Sequence, residues 1–437
     1  MDKKALKQYR SILEFEQLEF IEDNIKDKEE NAEDKKNACI IKAIFMKHYF
    51  FYFNADDMNL KNLSVKHSSI SCDDSEKSLN NAFTKVLNKG FLNLTNGITG
   101  RKTVYIHKNS NIPLIGTNIF GIIDRNTNCI EIKPLTGCNL NCIYCSVDEG
   151  RIGETSKTYD YVVEKDYLVQ ELRKLFELKN KTDKGLEVHI GPQGEPLLYS
   201  ELASLIKDIS TIEGVKRVSI DTNGLLLTKS LIDELIASGL TRFNISLNSM
   251  DKDLCNRISN RNYDLSHLMD MIKYIDEKYA TKKRCEIIIA PVLIPGINES
   301  HINDIIGFAK NLSGIKGGIK LGIQNFLNYQ GGRNPAKQKS WPEFYSLLKI
   351  LEDKYHTRLI LNQDDFLIEK NLVLIKPFKK NDVINADIIC PGPYKNECIA
   401  ATKGRCIVVH ECDKLSGPIK VKIVRDKHNI FDGIIIR

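Results

Sequence analysis

Between about residues 125 and 330 the sequence alternates short β-branched runs with amphipathic segments. That alternation restricts the fold more than any other feature. The runs are NCIEIKP (128–134), LEVHIG (186–191), KRVSIDT (216–222), RFNISLN (242–248), CEIIIAPVLI (285–294) and GIKLGIQN (318–325). In KDYLVQELRKLFELK (165–179), Leu168, Leu172, Leu175 and Phe176 recur at helical spacing. TKSLIDELIASG (228–239) opens on Thr228, a favoured N-cap, and ends on Gly239, the residue type that follows helix C-termini. Six strands alternating with helices predict an α/β fold with a parallel sheet, open or curled into a partial (β/α)6 barrel. In such sheets the chemistry collects at the C-terminal strand ends.

The flanks read differently. Residues 1–117 form an N-terminal α/β extension with no motif for chemistry. Its acidic start, EFEQLEFIEDNIKDKEENAEDKK (14–36), is expected to be helical. The run IIKAIFMKHYFFYF (40–53) holds Lys42, Lys47 and His48, so it is too short and too charged to span a bilayer; it reads as a buried helix or strand. KTVYIHKNSNIPLIG (102–116) reads as a strand leading into the core. The start MDKKALKQYR lacks the apolar stretch of a signal peptide, which places the chain in the cytoplasm and off the membrane. The α/β core is expected over 118–345, a connecting helix and strand over 346–370, and a small β-barrel over 371–437. In PIKVKIVRD, Ile419, Val421 and Ile423 alternate with Lys420 and Lys422, the pattern of a half-buried strand with lysines on its outer face.

Hydrophobic content of 42% and charged content of 27% over 437 residues describe an ordinary globular chain with a sizeable core. The net charge of +6 is unevenly placed: residues 376–437 carry 12 Lys/Arg against 7 Asp/Glu, while the preceding residues carry 51 against 50. A surplus of cations confined to one small domain points to a polyanionic partner, although a solvated basic surface has the same composition.

Of the 12 cysteines, Cys129 and Cys285 sit in apolar strand-like runs and read as small buried hydrophobes. Cys39, Cys72 and Cys255 are solitary. Cys138, Cys142 and Cys145 are different. They crowd into GCNLNCIYCSVDEG (137–150), directly after the first strand of the alternating region. Three thiolates serve zinc, an iron–sulfur cluster, or plain burial. Structural zinc wants four ligands, and no second knuckle follows. A four-iron cluster takes three cysteines and leaves one iron open.

CNLNCIYC resembles the cluster loop of the radical S-adenosylmethionine (radical SAM) superfamily, with Tyr144 at the aromatic position before the last cysteine. The resemblance implies that Cys138, Cys142 and Cys145 hold a [4Fe-4S] cluster and that S-adenosylmethionine chelates the fourth iron. Reductive cleavage would then yield a 5′-deoxyadenosyl radical that abstracts hydrogen from a substrate. Other strand ends agree. GPQGEPLL resembles the family's Gly-Gly-Glu-Pro motif, carried by Gly194 and Glu195, with Gln193 replacing the first glycine. DTNGLLLT resembles its Thr-Asn-Gly turn, at Thr222, Asn223 and Gly224. Ser246 and Asn248 in NISLNS, Gly296 and Asn298 in VLIPGINES, and Gln324 in GIQNFLNYQGGRNP stand where the family contacts the cofactor. A low-potential electron donor such as ferredoxin or flavodoxin is implied as partner.

The tail resembles a TRAM-type RNA-binding barrel in Pro391-Gly392, Gly404-Arg405 and the basic strand from Pro418. This implies RNA, and transfer RNA in particular, as substrate, with Lys420, Lys422, Arg425 and Lys427 as the contacts to phosphate. The same tail holds Cys390, Cys398, Cys406 and Cys412, which offer a second cluster or a zinc ion, as in members that modify peptides. The whole chain is similar to an uncharacterised archaeal branch of iron–sulfur oxidoreductases. Two alternatives accompany the RNA reading: an enzyme acting on a peptide or a small biosynthetic molecule, and a non-enzymatic iron–sulfur RNA-binding protein.

Overall fold

A computed structural model describes residues 10–22, 39–150, 156–179, 183–191, 193–312 and 321–436. The chain divides into two compact units, Met1–Tyr105 and Ile106–Arg437.

The first unit carries β1 (Ser11–Glu14), β2 (Leu18–Glu22), β3 (Ile40–Phe45), β4 (Tyr49–Asn54), β5 (Ser64–Lys66) and β6 (Ser69–Cys72), then α1 (Glu76–Phe91), β7 (Thr95–Asn96) and β8 (Lys102–Ile106). The apolar run 40–53 is a β-hairpin, with Phe45 opposite Tyr49. Met46 and Lys47 both adopt positive φ in its turn, the hand that matches the twist of the two strands. The expected acidic helix is corrected over its described part. β2 pairs antiparallel with β3, Leu18 opposite Phe45. Leu18 and Phe20 are buried while Glu19 and Ile21 are exposed, a period of two that belongs to a strand. Residues 23–36 of that expectation lie outside the described residues.

The second unit opens with β9 (Gly121–Asp124), β10 (Cys129–Lys133), β11 (Tyr159–Val163), β12 (Leu186–Ile190), β13 (Val215–Thr222), β14 (Arg242–Ile245) and β15 (Glu286–Ile289). Its helices are α2 (Lys165–Leu178), α3 (Leu202–Ser210), α4 (Lys229–Ala237), α5 (Lys252–Ser259), α6 (Leu265–Lys278) and α7 (Ile302–Lys310). The sheet order is β15-β14-β13-β12-β10-β9. Neighbours from β10 to β15 are parallel, and β9 is an antiparallel edge strand. The curl continues through a bridge between Ile289 and Leu321, then through β16 (Val292–Leu293) paired in parallel with β17 (Gln324–Asn325). Residues 318–320 of the sixth run lie outside the described residues.

Alternation along these strands sorts the side chains into two layers. Ile130, Val188 and Val218 stand in register and buried, as do Ile220, Phe243 and Ile287. Helices α2, α3 and α6 pack on this sheet. Pleating sends the intervening residues to the other, concave face: Glu131 and Lys133, Glu187 and His189, Ser219 and Asp221, Arg242 and Asn244. Thr228 caps α4 by accepting from the Leu231 amide at 3.1 Å.

After α8 (Trp341–Tyr355), opened by a Ser340–Glu343 capping box, the chain ends in a closed barrel. Its strands are β18 (Val383–Pro391), β19 (Cys398–Thr402), β20 (Arg405–His410), β21 (Gly417–Arg425) and β22 (Asp432–Ile435), in the order β18-β19-β20-β22-β21. Closure removes both sheet edges. Ala400, Ile407, Val409, Val421, Ile423 and the edge-to-face pair Phe378–Phe431 fill the interior. The Ile115 carbonyl accepts from the Cys406 amide at 2.9 Å, and the Gly116 carbonyl from the Phe431 amide at 2.8 Å. Gly116 adopts φ +132°, and a Cβ there would stand 2.2 Å from the Cys406 carbonyl oxygen. The Tyr161 hydroxyl donates to the Pro391 carbonyl at 2.8 Å, fastening the barrel to the core.

The four barrel cysteines are corrected as a shared metal site. Cys398 and Cys412 belong to the barrel interior, their sulfurs 2.9 Å apart. Cys406 points the other way and donates to the Pro113 carbonyl at 3.0 Å. Among the described residues no three His, Cys, Asp or Glu side chains converge on a single ion, and no described helix is long and apolar enough to cross a membrane.

Candidate active site

The C-terminal ends of the parallel strands open into a cavity of about 840 Å³. Cys138, Cys142 and Cys145 line it from the loop after β10, all three as free thiols. The loop is held from several sides. Its Asn141 and Ile143 amides donate to Ser259 and Ile258 at the end of α5, at 3.0 and 2.9 Å. Arg333, from the polar turn after β17, donates to the Asn141 side chain and to the Cys142 carbonyl, both at 2.8 Å, and its Nε lies 3.4 Å from Asp148.

Gly194 lets the next strand end approach this loop. It has φ +83°, and a Cβ would meet the Gly137 carbonyl oxygen at 2.6 Å. The same carbonyl accepts from the Glu195 amide at 2.9 Å. Glu195 is only 1% exposed. Its carboxylate accepts from Thr222 Oγ1 at 2.7 Å, the Asn223 amide at 2.8 Å and the Leu197 amide at 3.0 Å. Burial pushes it up to about 7, against the opposing pull of those hydrogen bonds. Asn223 in turn donates to Asn139 Oδ1 at 2.9 Å, tying the Thr-Asn-Gly turn to the cysteine loop.

Ten of the residues singled out for the cluster and the cofactor therefore meet at one cavity: the three cysteines, Tyr144, Gly194, Glu195, Thr222, Asn223, Ser246 and Gln324. Asn248, Gly296 and Asn298 stand outside its lining. Asn248 donates to the Tyr144 hydroxyl at 2.9 Å and accepts from the Val292 amide at 2.8 Å. Asn298 is fully buried, donates to the Asn248 and Val292 carbonyls and accepts from the Ile294 amide. Both asparagines brace the wall behind Tyr144. Of the basic tail residues, Arg425 turns into the cavity, 3.4 Å from Asp432. Lys420 and Lys427 are exposed and Lys422 is half-buried, none of them in the cavity lining.

The concave sheet face adds residues that motif reading passes over. Asp221 lies at the cavity, 3.1 Å from His189 Nε2, and accepts from Asn244 at 2.8 Å. His189 Nδ1 is 2.8 Å from Ser219 Oγ, which donates to Glu187 at 2.7 Å. Glu187 is also paired with Arg217 and Arg242. Burial would raise Glu187, but Arg242, Ser219, His189 and Arg217 outweigh it and hold the group below its ordinary range. The barrel adds Tyr394, Glu397 and His410 to the cavity, with His410 Nδ1 2.7 Å from Glu397. Polar residues at every second position of apolar strands were the available signal for the sheet residues; the barrel residues had none.

The three thiols fit an iron–sulfur cluster. Burial pushes each of them up, Cys142 to about 12, with Cys145 adding to the effect there; a cationic metal core among them reverses that preference. The Radical SAM superfamily profile matches residues 132–309. Uncharacterized protein MJ0103 of Methanocaldococcus jannaschii is 37% identical over 365 residues, covering 78% of this chain and 82% of that protein. The chain belongs to the radical SAM superfamily. A GTP 3′,8-cyclase of Lactiplantibacillus plantarum is 29% identical over 193 residues, 44% of this chain and 54% of the cyclase, so this chain spans about half of that relative's length. Among solved structures, TYW1 with a lysine–pyruvate adduct bound is 20% identical, with a TM-score of 0.37 over 57% of this chain and 80% of that one. Radical SAM proteins bind a [4Fe-4S] cluster and S-adenosylmethionine, and Cys138, Cys142 and Cys145 would hold the cluster here. When bound, that pair supplies one-electron reduction and a carbon-centred oxidant. The chain's own part is to grip the loop through Arg333 and Asn223, to present Glu195 and Ser246 beside it, and to line the cavity opposite with barrel residues.

Proposed function

We propose that this radical SAM enzyme modifies RNA, transfer RNA in particular, in the cytoplasm, with the C-terminal barrel presenting the substrate to the cluster. One observation carries the reading: barrel residues Tyr394, His410 and Arg425 line the same cavity as Cys138, Cys142 and Cys145. A barrel that only stabilised the fold would have no need to face the chemistry. Exposed Lys420 and Lys427, with Lys422 beside them, supply the phosphate neutralisation on which nucleic-acid affinity depends. In this reading Tyr144, Gly194, Glu195, Thr222, Asn223, Ser246 and Gln324 contact S-adenosylmethionine, with Asn248, Gly296 and Asn298 supporting them from behind. A low-potential donor such as ferredoxin or flavodoxin delivers the electron.

The test is anaerobic. The protein is loaded with iron and sulfide and reduced, and release of 5′-deoxyadenosine from S-adenosylmethionine is measured with and without total transfer RNA. Release that rises with RNA, and rises less for a Lys420→Ala/Lys422→Ala variant at moderate salt, supports the reading. Release indifferent to RNA ends it. A second reading has the cavity's volume of about 840 Å³ in its favour, a size suited to small molecules. The cyclase relatives, which by name act on GTP, point the same way. In that case a free nucleotide in place of RNA stimulates release.

A further inference from the structure

Buried lysines of the second unit normally have carboxylate partners. Lys179 lies 2.7 Å from Asp124. Lys157 is paired with Asp160 and Glu149. Lys133 is the exception. It is 3% exposed, and among the described residues its Nζ donates only to the neutral Asn118 carbonyl. No carboxylate lies within ion-pair distance of it among the described residues. Burial pushes it down to about 8, with Arg125 adding to the effect and Glu131 opposing it. An ammonium kept out of water with one neutral partner is unfavourable unless an anion joins it.

Its position says which anion. Lys133 is the last residue of β10 and lines the cavity, at the strand end where chemistry collects in such sheets. The neighbour on one side is the edge strand β9, with Gly121 directly opposite Lys133. The motif residues for S-adenosylmethionine lie on the other side, from the end of β12 onward to β17. Arg425 enters the same cavity from the barrel, its guanidinium paired among the described residues only with Asp432, at 3.4 Å. An ammonium and a guanidinium that line one cavity from two different domains are the groups suited to phosphate oxygens.

We propose that Lys133, with Arg425 from the barrel, binds a phosphate group of the substrate at the β9 edge of the cavity; this rests on the reading of the substrate as a nucleotide, in RNA or free. The seat explains why the barrel must close on the core beside β9. It also gives the enzyme a handle on its substrate that is separate from the cofactor.

The experiment is calorimetric titration of the full, cluster-loaded chain with inorganic pyrophosphate, and in parallel with S-adenosylmethionine. The wild type binds pyrophosphate. Lys133→Met weakens that binding by about tenfold or more, as expected for loss of one charge-assisted contact, and Arg425→Gln weakens it several-fold. Affinity for S-adenosylmethionine stays within about twofold for both. Absence of pyrophosphate binding in the wild type overturns the proposal. So does pyrophosphate affinity left within about twofold by both variants, and so does a Lys133→Met loss confined to S-adenosylmethionine. If Lys133→Met does not fold, Arg425→Gln is judged by the same criterion. Intact pyrophosphate binding without RNA-stimulated 5′-deoxyadenosine release would remove RNA as the substrate and leave the phosphate seat standing.

Discussion

The cysteine loop and the C-terminal barrel each bring several cysteines together along the chain, three in residues 138–145 and four in residues 390–412. Their fates differ. Cys138, Cys142 and Cys145 sit in an irregular loop whose direction is set by outside contacts, and all three reach one cavity. Cys398 and Cys406 sit in strands, where pleating decides the direction of each side chain. Cys398 goes inward with Ala400, and Cys406 goes outward to Pro113. Cys412 joins Cys398 in the interior. Close cysteines in a sequence share a site only where the backbone is free to bend around it.

The largest expected effect separates these two groups directly. Cys142→Ala abolishes the cluster's visible absorbance and all 5′-deoxyadenosine release, whereas Cys412→Ala leaves the iron content per chain unchanged and costs only the packing of one small buried side chain. Iron loss from Cys412→Ala would reinstate a metal role for the barrel.

The second effect tests the charged face of the core sheet against the apolar interior of the barrel. Glu187→Gln leaves Arg217 without its anion and Arg242 with only the exposed Glu286 at 3.9 Å, and is expected to cost about 3–5 kcal/mol at neutral pH. The sign with pH follows from Glu187 being held below its ordinary value near 4.5 in the folded chain. Its stabilisation is complete above that value and is lost as pH falls through the lower folded one. Denaturant titrations should therefore show wild type and variant far apart at pH 7 and converging in acid. A constant gap would mean that packing, not charge, carries the effect.

The smallest effect concerns the grip on the loop. Arg333→Met removes a charged donor from the Asn141 side chain and the Cys142 carbonyl. A local loss of about 1.5–3 kcal/mol is expected, read as faster hydrogen exchange at the Asn141 and Ile143 amides. Unchanged exchange would show that the α5 contacts hold the loop without Arg333.

The strands of the core were legible because their outward residues are uninterrupted Ile, Val and Phe at alternate positions. The same alternation placed Lys420 and Lys422 outside the barrel. The antiparallel strand β9 was not legible, since Gly121–Asp124 is short, buried along its whole length and carries no period. The start of the chain misled for a related reason: Leu18 and Phe20 are two apart, yet the surrounding glutamates have helical propensity, and pairing with β3 overrode it. Among site residues, Gly194 and Glu195 were readable from a motif. Lys133, Arg333 and His410 were not, because a lone cation or imidazole has the same local sequence whether it faces solvent or a cavity.

By itself the sequence determined the alternation of parallel strands and helices in the core, the loop that carries three cysteines, and the carboxylate and turn that follow at successive strand ends. These are local properties, set by periodicity and by residue types a few positions apart. Tertiary structure alone decided that the barrel closes over the cysteine loop, that its own cysteines part company, and that Lys133 is buried without a carboxylate while Arg425 arrives beside the same cavity. Those outcomes depend on which surfaces meet across hundreds of residues. No pattern within one segment encodes the face that a distant segment will cover.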